Sequence, residues 1–316
     1  MDETSLRNLK GYGLGLFATV LWGSYYPAAR FIFGKEADTA DPFLLSFIRF
    51  GFSVLFFLPF VFGSTKRRTE LPCLLRKEWK MLLLLALSGV VIQGVLVFIS
   101  LKYTTAARGS LMANAAPVFT VLLAWLFLKE KITLKMLAGM LIGFAGISLA
   151  MFSKSQDIFS GMTASTLLGD FLALLSGAAW AVYTVAGVRI VREYDSLTVT
   201  MINFFIGMCC MPFVMLIFGS PFDFHLSARL WIGMAYMGVF TGGVAFCAWL
   251  AALRFVESSK LGAFGYLSAL LAAFFSIIFL KESMSVLFIG SAVMAFAGMY
   301  LVNCQGKRTF VEVNAH

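Results

Sequence analysis

Ten long apolar stretches, at roughly 12–33, 42–62, 80–101, 106–127, 133–152, 167–189, 197–218, 229–253, 260–280 and 284–303, fill most of this 316-residue chain. A bilayer core about 30 Å thick is crossed by about 20 apolar residues in helical form. Inside lipid each segment must satisfy its own backbone polar groups, and a helix does so alone. Only 13% of the residues are charged, about half the usual ~25% of a soluble protein. The expectation is an all-α polytopic membrane protein with ten transmembrane helices and short connections.

The net charge of +9 would suit a nucleic-acid partner in a soluble chain. The placement of the charges points elsewhere. With the N-terminus cytoplasmic, 17 Lys and Arg fall in inside segments, 7 in outside segments, and Arg49 lies within a span. Positive charge resists translocation, so this bias predicts cytoplasmic N- and C-termini in a bacterial-type inner (plasma) membrane. The partner of the basic charge is then the lipid bilayer, not nucleic acid. Cys73, Cys209, Cys210, Cys247 and Cys304 show neither metal-ligand nor disulfide-framework spacing, so no metal is expected.

The chain also repeats itself. Residues 101–150 laid on 253–302 without a gap give nine identities, with Phe127-Leu128-Lys129-Glu130 on Phe279-Leu280-Lys281-Glu282 and Phe144-Ala145-Gly146 on Phe296-Ala297-Gly298. Gly139 and Gly143 fall on Ser291 and Ala295, which keeps a small-residue spacing suited to close helix packing, within the monomer or across a homodimer. Trp22 and Tyr25 align with Trp180 and Tyr183, and Arg49 with Asn203. Each half, 1–153 and 154–316, therefore holds five spans. Five is odd, so the second half enters the membrane from the opposite side. Two inverted five-helix repeats are a construction that secondary transporters use.

The residues that carry this pattern also carry a family resemblance. "LWGSYYP" in helix 1, Arg49 in helix 2, "SLKYTTAARGSLMANAAPVFTVLLAWLFLKEKIT" across helices 3 to 5 and "GDFLALLSGAAWAVYTV" in helix 6 resemble the EamA-type branch of the drug/metabolite transporter superfamily. The resemblance covers about residues 10–303. It implies a ten-helix fold with a central cavity, transport of small metabolites and no cofactor. It also implies that Arg is often found at the position of Arg49 whatever the cargo, which favours a structural role there over bidentate binding of a substrate carboxylate. Pro117 has Ala269 as its counterpart, so the two halves are not expected to bend alike there.

Polar and aromatic side chains deep in spans mark the expected site, because burying them in lipid is costly. Trp22, Tyr25 and Tyr26 share a face of helix 1, and Trp180 and Tyr183 repeat it in helix 6. Gln93, Asn114 and its counterpart Tyr266 complete a candidate substrate-binding set for a small zwitterionic or aromatic solute. Each of these also has a plain packing role open to it. Arg49, Pro117, Glu130, Asp170 and Glu282 are assigned structural or gating roles. Asp170 is read as favouring a helix N-terminus, Glu130 and Glu282 as interfacial pairs beside Lys129 and Lys281. Pro27, Pro59, Pro117 and Pro212 are expected to bend their helices.

These features favour a secondary transporter of amino-acid-like solutes, with efflux as the favoured direction. An intramembrane enzyme would need paired carboxylates, a nucleophile with its base, or a metal. The two histidines, His225 and His316, sit in a loop and at the end of the sequence. A channel would need a filter loop or charged rings, which the sequence does not display.

Overall fold

The computed structural model describes residues 3–25, 27–28, 41–154, 163–280 and 286–304. Among these residues all regular structure is helical. In chain order the elements are α1 (Glu3–Gly23), α2 (Pro42–Phe62), α3 (Thr65–Lys77), α4 (Trp79–Ser100), α5 (Ala106–Ala113), α6 (Ala116–Leu128) and α7 (Leu134–Lys154). They continue as α8 (Ala164–Glu193), α9 (Ser196–Phe218), α10 (Ala228–Ala252), α11 (Ser258–Gly262), α12 (Phe264–Leu280) and α13 (Val286–Asn303).

Local chemistry sets the helix starts. The Asp41 carboxylate accepts from the N–H groups of Phe43 and Leu44, at 3.0 and 2.8 Å, with Pro42 following it at the first helical position. Asp195 does the same for α9 through Thr198, at 3.2 Å. Thr163 and Thr166 bond reciprocally at the start of α8. Asp41 and Asp195 share the 154-residue offset of Arg49 and Asn203, so the repeat extends to the caps.

Seven described helices are long and apolar enough to cross a membrane. They are α2, α4, the pair α5–α6, α8, α9, α10 and the pair α11–α12, and two shorter apolar helices, Leu134–Ala150 and Leu287–Asn303, lie within α7 and α13. α1 begins at Glu3 and carries Arg7 and Lys10 in its early turns, which lowers its apolar share. Phe213, Leu216 and Ile217 of α9, Leu134 of α7 and Tyr300 of α13 stand largely exposed, as a lipid-facing surface requires.

The arrangement departs from ten uninterrupted rods in three ways. α3 is a polar surface helix where a loop was expected; Arg67 ties it to Asp195 at 3.0 Å and to the Phe60 carbonyl. The expected span 106–127 is broken at Asn114–Ala115, so Pro117 does not bend a continuous helix but opens α6 near its first turn. α4 and α10 each contain a π-helical stretch, Ala86–Ile92 and Met237–Val244. These stretches fall at nearly the same register in the two halves.

Contacts between the halves are reciprocal. The π stretch of α4 packs on α8 and α9, and that of α10 packs on α1 and α2. α8 lies against α4 and α6, while α1 lies against α10 and α12. The pairs α2–α9 and α7–α13 each join matched helices. In the last pair the small residues meet within one chain: a Cβ on Gly298 would lie 2.5 Å from the Gly143 nitrogen, and one on Gly139 2.7 Å from the Gly298 carbonyl. This stripe is therefore occupied inside the monomer. Backbone on both sides cannot yield, so Gly298→Val is expected to cost about 3 kcal/mol. Gly94→Ala, with open space around it, should gain up to about 1 kcal/mol from helix propensity. Thermal unfolding in detergent checks the pair of variants.

Candidate functional site

The first helix of each half carries an aromatic group, near the end of α1 and midway along α8, and the structure brings the two groups together. Trp22 and Trp180 meet edge to face, with centroids 5.1 Å apart and planes at 88°. Trp249 and Phe246 of α10 pack on both, at 5.1–5.9 Å. Tyr183 stacks under Trp180 at 5.2 Å. Trp22 and Trp180 remain half-buried while Tyr183 and Trp249 are buried.

Each π stretch is met by an aromatic of the opposite half. A π turn bonds i→i+5 and disturbs the neighbouring carbonyl ladder, which is why such turns recur at functional sites. The Trp22 indole N–H donates to the carbonyl of Thr241 at 2.9 Å. The Tyr183 ring lies flat against Gly89, where a Cβ would run into it. Gly89 and Thr241 are counterparts at the 152-residue offset. Trp249 donates its own N–H to Thr184 Oγ1 at 3.2 Å. Beside Tyr183, the side chain of Asn203 is fully buried and engages the Tyr183 hydroxyl.

A second polar group surrounds Arg49. Its Nη1 donates to the Tyr25 hydroxyl at 3.1 Å, and the guanidinium lies over the rings of Tyr25 and Phe50 at 5.6 and 5.2 Å. Nearby, Ser24 Oγ and the Tyr236 hydroxyl are 2.7 Å apart. Tyr236 was not singled out in the sequence, because a tyrosine in an apolar run carries no mark of its partner.

Asp170 is not a first-turn carboxylate. It sits two turns into α8, where its own helix offers few free N–H groups. Instead it is buried against Arg108 of α5. Arg108 Nε donates to both carboxylate oxygens at 3.1 and 3.2 Å, its Nη2 bonds Oδ2, and Thr104 donates to Oδ1 at 2.7 Å. Glu130 likewise turns away from its Lys neighbours. It accepts from the N–H and hydroxyl groups of Ser258 and Ser259, and so caps α11 of the other half. Lys129 turns the chain there in the left-handed region, at φ 55°.

The remaining expected residues lie apart. Asn114 spends its amide on Ser110 of its own helix, at 2.7 Å. Tyr266 is fully buried over Gly143, and its hydroxyl donates to the Met140 carbonyl at 3.2 Å. Gln93 is half-buried just after the π stretch of α4. Pro117 packs near Gly265. Tyr26 and Glu282 lie outside the described residues. Among the described residues no three His, Cys, Asp or Glu side chains cluster as a metal site would require.

The sequence pattern of the EamA-like transporter family matches residues 9–152 and again 167–304. An uncharacterized transporter of Archaeoglobus fulgidus is 31% identical over 94% of this chain and 99% of its own length. One from Bacillus subtilis is 25% identical over 82% of both chains. A solved crystal structure superposes with a TM-score of 0.77 over 94% of this chain and 96% of its own, at 19% identity, and so is alike in fold.

The Arg108–Asp170 pair is the sharpest test of this arrangement. Removing one member of a buried pair leaves an uncompensated charge, whereas replacing both with apolar groups is often neutral. Asp170→Leu is expected to cost about 3–5 kcal/mol, and adding Arg108→Met should restore most of it. A double-mutant cycle in thermal unfolding reads the coupling.

Proposed function

Because the chain belongs to the EamA-like transporter family, we propose that it is a secondary transporter that exports small amino-acid-like solutes by alternating access. It is an integral, multi-pass membrane protein of a transporter family. On this reading the membrane is the inner (plasma) membrane, both termini are cytoplasmic, and residues 1–153 and 154–316 are inverted five-helix repeats. Matched π stretches and reciprocal packing between the halves support the repeat, as does a family pattern that matches once in each half.

One observation carries the site. The counterpart residues Trp22 and Trp180 touch where the first helix of each half meets the π stretch of the other. A solute held there would contact both halves and bias their relative position, which is what a coupled change of state requires. Tyr25, Tyr183 and Gln93 belong to the same region of the two halves and complete the proposed lining. Tyr266 and Asn114, bonded within their own packing, are kept out of it.

Counterflow of labelled amino acids into liposomes tests the reading. Saturable exchange of one solute class is expected. Trp180→Ala should reduce it at least tenfold, since one ring wall of the site is lost. Non-saturable flux would identify a pore, and exchange unaltered by the substitution would remove Trp180 from the site.

A further inference from the structure

Two arginines lie within the described spans α2 and α5–α6, and they differ in one respect. Arg108 presents its Nε–Nη2 edge to Asp170, which fills it with two carboxylate oxygens. Arg49 turns its Nη1 to the Tyr25 hydroxyl, and its buried Nε has no partner. Among the described residues no carboxylate pairs with Arg49. A guanidinium stays charged under all ordinary conditions. Held over two rings with one phenol contact, it is stabilised far less than Arg108, although it sits at a depth where charge is costly.

We propose that Arg49 binds the carboxylate of the transported solute through its Nε–Nη2 edge, of which the buried Nε has no partner. Two parallel N–H···O bonds form the natural complement of a planar guanidinium. Tyr25 then acts as the positioning residue, fixing the rotation of the fork through Nη1.

The surroundings define the rest of the solute. Phe50, beside Arg49, contacts Phe204 at 5.5 Å, and Phe204 contacts Phe246 at 5.1 Å. Phe246 in turn touches Trp22 and Trp180. A chain of ring contacts therefore leads from the guanidinium through the buried Phe50 and Phe204 to the half-buried Phe246, Trp22 and Trp180, and these last three suit an apolar or aromatic body. The counterpart of Arg49 in the second half is Asn203, which is neutral, fully buried and set against the Tyr183 hydroxyl. The site thus has one cationic end and one neutral polar end. It takes a single carboxylate on an apolar body, not a dianion.

This assignment deepens the transport reading and rests on it. Its test is binding to the purified full chain, followed by thermal unfolding in detergent. The probes are L-phenylalanine, L-leucine and 3-phenylpropanoate, each beside its own carboxamide. The carboxylates are expected to stabilise the wild type and the amides to leave it unmoved. Arg49→Gln should weaken the carboxylates roughly 10- to 100-fold, the loss of a charge-assisted pair of hydrogen bonds. Arg49→Lys keeps the charge without the fork, so it should fall between the two, and it serves if the glutamine variant does not survive purification. Equal shifts by acid and amide, or a carboxylate affinity unchanged in both variants, would overturn the proposal. So would the absence of any shift by the three acids. Where liposome counterflow succeeds alongside such a result, the transport reading stands and only the role of Arg49 falls.

Discussion

A chain that crosses lipid must satisfy every backbone N–H and C=O from within the protein. Straight helices do so unaided, so the informative places are those where this chain departs from them. The π stretch of α10 exposes carbonyls, and they are answered from the other half: Trp22 donates to Thr241, and Ser53 donates to Gly238. The start of α11 leaves free N–H groups, and Glu130 reaches across to hold them. At the end of α8 the carbonyls of Val191 and Tyr194 are taken by Arg254. The first two of these irregularities join the halves, and the third is answered within the second half. Backbone need, more than side-chain charge, decides which residues meet.

That need also explains where the acids went. Asp170 is committed to Arg108 and Thr104, and Glu130 to a helix start. Asp41 and Asp195 cap helices. Each described carboxylate near the membrane core has a structural debtor, while Arg49 has only a phenol and two ring faces. The imbalance is not a defect of packing around α2, since Phe50 and Ile48 beside it are buried in the core.

Much of this was legible in the sequence because membrane spans and internal repeats leave marks on a single line of residues. The apolar stretches gave the helices; the offsets gave the matched pairs Trp22–Trp180 and Arg49–Asn203 before any contact was known. What stayed hidden depends on partners distant in sequence. Nothing in "TAARGSL" says that Arg108 meets an acid 62 positions away. Asp170 looked like a helix-terminal charge because its helix was expected to start near residue 167 and in fact starts at Ala164. The π stretches leave no compositional trace, since i→i+5 bonding uses the same residues as i→i+4. Asn114 and Tyr266 share a repeat position but not an environment, so likeness in sequence did not carry likeness in use.

The two kinds of interface in the molecule differ in what they allow. Along α7 and α13, glycine and other small residues bring backbone against backbone, with no room for even one added carbon at Gly139, Gly146 or Gly298. Interdigitated backbones have one good register and lose their contacts together when displaced. Elsewhere, contact between halves is made by long side chains: tryptophan rings, the Arg108–Asp170 pair, and the Glu130 cap. Such side chains can change rotamer and partner while the helices that carry them stay intact. On the proposed alternating-access reading, the fixed seam of the protein is then α7–α13. Its adjustable contacts lie where the first helix of each half meets the π stretch of the other, which is also where the aromatic site lies.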